Sequence, residues 1–119
     1  MAPHKAKPPA ITHNDLAQFT GTERWYRHSL MCTITYTDGV QFLAEKASAY
    51  WLIDKIATLQ LEPKIKREEF QVWKLNVTGS KATLVCEDGN DNAVYSEKID
   101  FTDFPLDEIT LFYTNSVID

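Results

Sequence analysis

The chain has 119 residues, of which 44% are hydrophobic and 12% aromatic, and its formal net charge is −5. That length suits a single domain with a short tail, and that apolar content builds a packed core without a metal or a disulfide. No stretch reaches the roughly 18 to 20 apolar residues of a membrane span, and residues 1–10 lack the apolar segment of an export signal. We therefore expect a soluble, cytoplasmic protein with no membrane partner.

The charges are unevenly divided along the chain. Residues 87–119 carry nine acidic side chains and one lysine, a net charge of −8, whereas residues 1–86 carry a net charge of +3. A net negative charge disfavours direct binding to nucleic acid, because phosphates repel it. A concentrated anionic surface attracts a basic protein face instead, although an acidic rim that only keeps a protein in solution has the same composition.

Three prolines and two lysines within residues 1–10 predict a flexible basic tail, followed by a single folded domain over residues 11–119. Thr12 or Asn14 suits the N-cap of a short helix that Gly21 would end. Residues 22–29 show no clean period. They are interpreted as a helical turn or a loop that leads into a strand over residues 30–36.

A long helix is predicted over residues 40–59, after a turn at residues 37–39. Its apolar side chains fall on two faces, of which one suits packing against a sheet. The other face includes Tyr50 and Trp51 and needs the N-terminal segment or a second subunit to cover it. A homodimer through helix 40–59 is therefore one alternative.

The second half of the chain alternates in the way that strands do. Mostly apolar side chains recur at every second position in residues 71–77, 82–86, 93–101 and 109–113, with Glu97 interrupting the third of these stretches and with turns at residues 79–80 and 88–92. A helical turn over residues 106–109 is an alternative start for the fourth. The predicted fold class is α+β. It is a two-layer domain in which an antiparallel β-meander of about four to five strands packs against one long helix, with a short N-terminal helix.

Metal and cofactor motifs are incomplete. Asp88-x-Asn90-x-Asn92 has the alternating oxygens of a calcium loop, but Ala93 stands where that loop needs glycine, so we expect a polar hairpin turn. No histidine has zinc-like spacing, and no nucleotide-binding, nucleophile-elbow or zinc-protease motif occurs. We predict no catalytic residue, no metal site and no cofactor.

His28 supports the one enzymatic alternative. A small enzyme would use it as a general base with Asp38 or Asp54. The competing interpretation of Asp54 is structural, since a carboxylate on an apolar helix face either pairs with a base such as Arg24 or Arg27 or reaches solvent.

Aromatic and arginine side chains carry much of the binding energy at protein interfaces, although they also fill cores. Residues 22–29 concentrate such side chains, and the acidic final third of the chain supplies charge. The predicted partner-binding residues are Trp25, Tyr26, Arg27, Asp103, Asp107 and Glu108.

Six strings in the sequence are distinctive: FTGTERWYRH (19–28), YTDGV (36–40), LAE (43–45), YWLID (50–54), FQVWKL (70–75) and FTDFPLDEI (101–109). With these strings the chain resembles a family of small bacterial proteins of unknown function, found in assorted genomes and on mobile elements. The resemblance implies a single-domain bacterial protein and brings no active site with it.

The charge pattern and the resemblance together favour a non-enzymatic protein-binding or accessory module. We expect it to engage a basic protein partner through an acidic C-terminal surface. Host interference by a mobile element, such as inhibition of a nucleic-acid-binding defence complex, is one role of this kind. A small enzyme and a structural homodimer without a site are the alternatives.

Overall fold

The structure, a computed structural model, describes residues 12–17 and 24–119. Within these residues, seven strands form one mixed sheet in the order β1-β2-β7-β6-β3-β4-β5. The elements in chain order are α1 (His13–Leu16), β1 (Trp25–Arg27), β2 (Thr35–Thr37), α2 (Asp38–Lys46), α3 (Tyr50–Leu59), α4 (Pro63–Lys66), β3 (Phe70–Thr78), β4 (Lys81–Glu87), β5 (Ala93–Ile99), β6 (Glu108–Thr114) and β7 (Val117–Ile118).

The prediction of an antiparallel β-meander of four to five strands is wrong, because the sheet has seven strands and its order is not sequential. The strands β3, β4 and β5 do pair in sequence as antiparallel neighbours. The next strand, β6, returns to the far side of β3, and β7 then runs parallel to β2. A regular alternation of apolar residues identifies the buried face of a strand, but it does not say which strand lies beside it.

The connection between β5 and β6 explains this return. Residues 100–107 cross the end of the sheet, and the Thr102 amide donates to the Ser80 carbonyl in the β3–β4 turn at 2.7 Å. Phe104 and Leu106 are buried in this connection. Burial of these two side chains favours the crossing over a hairpin that would place β6 beside β5.

The predicted single long helix over residues 40–59 is also wrong, because the chain bends between α2 and α3. Ser48 has a left-handed φ of 53°, and the Ala49 amide donates to the Ala44 carbonyl at 2.8 Å. These are the features of a Schellman motif, which ends a helix by satisfying its last carbonyls. Each apolar face of the predicted helix belongs mainly to one of the two helices, and the bend turns both toward the same core.

This bend also removes the reason for a second subunit. Val40 and Leu43 of α2 and Leu52 and Ile56 of α3 are all buried within the chain. The face that needed a partner subunit on a straight helix is largely covered by the chain's own sheet and helices. In the part of the chain described, no helix is long and apolar enough to cross a membrane.

The predicted alternation of buried residues is confirmed in β3 and β4. Trp73 and Leu75 of β3 and Leu84 and Cys86 of β4 are buried on the face of the sheet that the helices cover, which we call the inner face. The interpretation of Phe101 as an inward-facing strand residue is wrong, because β5 ends at residue 99 and the Phe101 ring is exposed.

A polar network is buried among these apolar side chains. The amides of Gln60 and Gln71 donate to each other's carbonyl oxygens at 2.7 and 2.9 Å. The Trp73 indole also donates to Gln71 Oε1 at 2.9 Å, and the Gln71 amide nitrogen reaches the carbonyls of Ile65 and Glu68. The network joins the end of α3 and the residues of α4 to the central strand β3.

The N-terminal half contains shorter elements than predicted. Thr12 caps α1 in a capping box with Asp15. The segment interpreted as a helical turn or a loop contains the strand β1, and the strand expected over residues 30–36 is reduced to β2. The predicted tail over residues 1–10 and the predicted helix end at Gly21 lie outside the described residues.

Candidate functional site

The face of the sheet opposite the helices, which we call the outer face, carries a pair of exposed aromatic rings. Phe70 of β3 and Phe112 of β6 stack with their ring centroids 5.9 Å apart, and they are 43% and 42% exposed. Val72 is the cross-strand neighbour of Phe112. Such a cluster of large apolar side chains, on a face that none of the described helices covers, is typical of an interaction surface.

The outer face continues across the sheet to β1. Asp119 exchanges two backbone hydrogen bonds with Phe112, and the Thr37 hydroxyl donates to the Asp119 carboxylate at 3.2 Å. Trp25 lies opposite Thr37 in the β1–β2 pair and is 58% exposed. This row therefore places Trp25 on the same face as Phe70 and Phe112, three strand spacings or about 14 Å from Phe112, and we call these three residues the outer aromatic patch.

The three partner-binding residues predicted within residues 22–29 do not all lie on the same face of the sheet. Trp25 and Arg27 alternate with Tyr26, so they lie on the outer face while Tyr26 lies on the inner face. The Tyr26 ring stacks on Tyr36 with a centroid distance of 5.7 Å. Of the aromatic residues predicted to bind a partner, Trp25 therefore belongs to the outer aromatic patch and Tyr26 does not.

The acidic residues of the final third do not form a single surface. Asp103, Asp107 and Glu108 are exposed at one end of the sheet, before and at the start of β6, and we call them the acidic end. Asp88 and Asp91 lie in the turn between β4 and β5, at the opposite end of the strands. The acidic residues of the final third are thus not gathered on one surface.

The acidic end borders the outer face. Glu108 pairs across the sheet with Asn76 and shares its strand face with Phe112, four residues along β6. Those four residues span about 13 Å. The predicted partner-binding residues thus form two groups at different borders of one face, Trp25 with Arg27 on β1 and the acidic end at the start of β6.

The structure brings two of the predicted acid–base residues together. His28 is buried directly after β1, and its Nε2 lies 2.7 Å from Oδ1 of Asp54 on α3. The backbone amides of Leu30 and Met31 both donate to His28 Nδ1, at 3.2 and 2.9 Å. Two amide donors require the lone pair on Nδ1, so the proton of the ring is on Nε2 and is donated to Asp54.

This arrangement differs from that of a catalytic histidine. In a nucleophile-activating triad the carboxylate accepts from Nδ1–H, and the Nε2 lone pair stays available to take a proton. In this chain both nitrogens of His28 are occupied, one by amides and the other by Asp54. His28 therefore lacks the free lone pair that a histidine general base requires, and its contact with Asp54 instead fixes the turn over residues 28–34 to α3.

Asp54 and Asp38, the two acids considered as partners of His28, have different surroundings. Of the two alternatives predicted for Asp54, pairing with Arg24 or Arg27 does not occur, because Arg27 lies on the outer face whereas Asp54 contacts His28 on the inner side. Asp54 also reaches solvent, with 59% of its side chain exposed. Asp38 opens α2, where its carboxylate accepts from the amide of Gly39 at 3.0 Å.

Three tyrosines lie near Asp54, two of them on the β1–β2 edge and one at the start of α3. Tyr36 stacks on Tyr26, and Tyr50 precedes Asp54 by one turn of α3, where its hydroxyl donates to Gln41 at 3.0 Å. Burial raises the pKa of Tyr36, and the nearby charges of Tyr50, Asp54 and Tyr26 raise it further. These interactions place the phenol groups and the carboxylate in one neighbourhood at the β1–β2 edge.

A second polar cluster connects α3 to the edge strand β5. Lys55 donates to Glu97 Oε2 at 2.8 Å, and the Tyr95 hydroxyl donates to Glu97 Oε1 at 2.7 Å. The hydrogen bonds from Lys55 and Tyr95 lower the pKa of Glu97, whereas burial, followed by the bond to Glu97, raises the pKa of Tyr95 to about 12. Every polar end of this cluster is satisfied within the chain, so it stabilises the packing of α3 on β5.

In the turn that carries the incomplete calcium motif, the Asp88 side chain bonds to backbone amides of the same turn. Asp88 accepts from the amides of Asn90 and Asn92 at 2.8 and 3.0 Å, and these bonds lower the pKa of Asp88. Within residues 12–17 and 24–119, no group of three histidine, cysteine or acidic residues is arranged to hold a metal ion. Both cysteines are free thiols. Burial raises the pKa of Cys86 to about 12, and Cys32 is exposed.

A family model described as a family of unknown function, DUF6876, matches residues 10–118, nearly the whole chain. The chain belongs to the DUF6876 family. This match confirms the resemblance to a family of unknown function. No curated protein and no solved structure is significantly similar to the chain.

Two features of this DUF6876 chain were missed by sequence reasoning. Phe70, Val72 and Phe112 lie out of phase with the buried positions of β3 and β6, and this phase is a signal for an apolar outer face. Tyr36 and Tyr50 gave no such signal, because their association depends on how the β1–β2 edge meets α3.

Proposed function

We propose that this chain is a non-enzymatic, cytoplasmic protein-binding module that engages a basic protein partner across its outer face. The single observation that carries the proposal is the outer aromatic patch of Trp25, Phe70 and Phe112. Each Å² of apolar surface left in water costs roughly 25 cal/mol relative to burial. Clustered, exposed aromatic rings are also the side chains that dominate the energetics of protein interfaces.

Charge supports the choice of a basic partner. The net charge is −5, and the carboxylates of the acidic end are exposed beside the outer face. Among the described residues, none of Asp103, Asp107 and Glu108 forms a salt bridge with a lysine or an arginine. Oδ1 of Asp107 lies 3.8 Å from Nε2 of His13. Such carboxylates steer a positively charged partner toward the adjacent apolar surface.

The proposal includes a specific biological form. An accessory protein of a mobile element that occupies the basic surface of a nucleic-acid-binding defence complex would need an anionic border around an apolar contact area. The outer aromatic patch and the acidic end provide these two parts. The free thiols of Cys32 and Cys86 support a reducing, cytoplasmic location.

The test of the aromatic patch uses a matched pair of variants. Phe112→Ser removes a ring of the patch, whereas Leu61→Ser removes an exposed apolar side chain between α3 and α4, away from the outer face. Tagged wild-type protein and both variants are incubated with a lysate of the native host. A basic protein retained by the wild type and by Leu61→Ser is then purified for affinity measurements.

We expect Phe112→Ser to bind this protein at least about ten-fold more weakly than the wild type, since a central aromatic anchor contributes that much to an interface. Leu61→Ser should bind as the wild type does, and circular dichroism should show all three proteins folded. Equal affinity of Phe112→Ser and the wild type would refute the proposed surface, as would the absence of any basic protein among those captured.

The acidic end is tested by charge reversal. The triple variant Asp103→Lys, Asp107→Lys and Glu108→Lys should associate more slowly with the purified partner, and its association rate should depend less on salt concentration. These side chains are exposed, so the fold should be retained. An association rate and a salt dependence equal to those of the wild type would show that the acidic end has no part in partner binding.

A further inference from the structure

The carboxylate of Asp54 is exposed to solvent and is held by a buried histidine. Its Oδ1 accepts from Nε2–H of His28, a ring whose other nitrogen accepts two amides, so the bond orients the carboxylate without neutralising it. Among the described residues, no lysine or arginine forms a salt bridge with Asp54, and the side chain is 59% exposed. This leaves Oδ2 accessible to an external cation.

Aromatic rings lie near the same carboxylate. Tyr26 and Tyr36 stack at the β1–β2 edge, and Tyr50 presents an exposed ring one helical turn before Asp54. The face of a tyrosine ring carries negative electrostatic potential and attracts cations that lie within about 6 Å of its centre. Tyr26 precedes His28 by two residues and points to the same face of the sheet, so the stacked rings lie beside the histidine that holds Asp54.

We propose that Asp54 and the three tyrosines Tyr26, Tyr36 and Tyr50 form a binding site for the guanidinium group of an arginine side chain. His28 is the positioning residue of this site, because its buried ring fixes the Asp54 carboxylate. The identity of the ligand as part of a basic partner protein rests on the proposed function. The site itself is independent of the outer aromatic patch, since Tyr26 and Tyr36 lie on the inner face.

The chemistry of the site favours a guanidinium group over an ammonium group. Guanidinium is planar, stacks on aromatic rings, and donates two parallel hydrogen bonds to one carboxylate. Lysine ammonium is more strongly hydrated and has no flat surface to stack. A metal ion is disfavoured, because the described residues provide no group of three suitable ligands.

The experiment is a nuclear magnetic resonance titration of the full chain with N-acetyl-arginine amide. The lysine analogue tests selectivity for guanidinium, and the uncharged citrulline analogue tests the need for charge. Asp54→Asn removes the negative charge but keeps an oxygen that accepts from His28. Asp100→Asn is the matched control, since it removes an exposed carboxylate directly after β5, at the opposite edge of the sheet from β1.

We expect the arginine amide to shift the ring resonances of Tyr26, Tyr36 and Tyr50 in the wild type and in Asp100→Asn. The lysine analogue should bind more weakly, and the citrulline analogue should cause no shift. Asp54→Asn should bind the arginine amide at least about ten-fold more weakly, as expected for the loss of a charge-assisted hydrogen bond. If Asp54→Asn does not fold, Tyr50→Ala is measured instead and should also weaken binding, because the Tyr50 ring is exposed.

Equal binding of the citrulline or lysine analogue would overturn the proposal, as would unchanged affinity in Asp54→Asn or, where that variant does not fold, in Tyr50→Ala. The titration contains no partner protein, so its failure would leave the test of Phe112→Ser intact. If the titration succeeds while no basic protein is captured, the guanidinium site remains and the proposed partner is wrong.

Discussion

The buried amide network at the end of α3 provides a sharp test of how the core is held together. In Gln71→Leu, the Trp73 indole N–H and the Gln60 carbonyl oxygen each lose the partner that Gln71 supplies. Both groups are buried. A buried polar group left without a partner costs about 1 to 3 kcal/mol, so the two together predict a loss of about 2 to 6 kcal/mol.

The matched variant Gln60→Leu should be much milder. In that variant Gln71 Oε1 still accepts from the Trp73 indole, and Gln71 Nε2 still donates to the carbonyls of Ile65 and Glu68. Every polar atom of Gln71 keeps a partner, so the expected loss is about 1 kcal/mol. The asymmetry between the two glutamines follows from their hydrogen bonds and not from their burial, which is nearly equal.

Urea unfolding monitored by circular dichroism measures both losses. Small domains have a total stability of about 5 to 15 kcal/mol, so Gln71→Leu should unfold at a clearly lower urea concentration than Gln60→Leu. Equal midpoints for the two variants, or a loss below about 1 kcal/mol in Gln71→Leu, would refute the network as described.

Ser48→Gly should raise the free energy of unfolding by about 1 kcal/mol in the same assay, because glycine adopts a left-handed φ without strain. The Tyr95 phenol should titrate near pH 12 by ultraviolet absorbance, above its ordinary value of 10.0. Because its folded pKa is raised, its contribution to stability is complete below pH 10 and is lost as the pH rises toward 12, and Tyr95→Phe should abolish this dependence. The amide hydrogens of Leu30 and Met31 should exchange slowly in the wild type and rapidly in His28→Ala, as measured by hydrogen-exchange nuclear magnetic resonance.

Each of these expectations has a contrary outcome. A Ser48→Gly variant no more stable than the wild type would show that the bend between α2 and α3 carries no backbone strain. Titration of Tyr95 at its ordinary pKa would argue against its burial and its bond to Glu97. Unchanged amide exchange in His28→Ala would show that the histidine does not hold the turn over residues 28–34.

The faces of the strands were predictable from the sequence, but their neighbours were not. In β3 and β4 the alternation identified Trp73, Leu75, Leu84 and Cys86 as buried, because a period of two is a direct consequence of strand geometry. The placement of β6 beside β3 depends on the burial of Phe104 and on a backbone contact far along the chain. Such non-local contacts leave no mark on the periodicity of β6 itself.

The bend between the helices also lacked a sequence signal. Residues 47–49 are Ala, Ser and Ala, which contain neither proline nor glycine. Helix propensity therefore favours an uninterrupted helix, and only the burial of both apolar faces in one core favours the bend. The two apolar faces were recognisable from the sequence, but the bend that buries both of them in one core was not.

The candidate sites were partly predictable for similar reasons. The residue types of His28 and Asp54 suggested that they act together, and the structure places them in contact. The occupation of Nδ1 by the amides of Leu30 and Met31 depends on the path of a turn that residue type does not specify. Trp25 was identified as an interface residue from its chemistry, whereas its alignment with Phe112 requires the full strand order.

Hydroxyl-radical footprinting of the complex with the captured basic protein tests the proposed binding surface most directly. The method reports the solvent exposure of individual side chains, and Trp25, Phe70, Phe112 and Leu61 are all exposed in the free chain. We expect the three residues of the outer aromatic patch to become protected from oxidation in the complex, while Leu61 remains as reactive as before. Protection of Leu61 together with unchanged oxidation of Phe70 and Phe112 would contradict binding through the outer face.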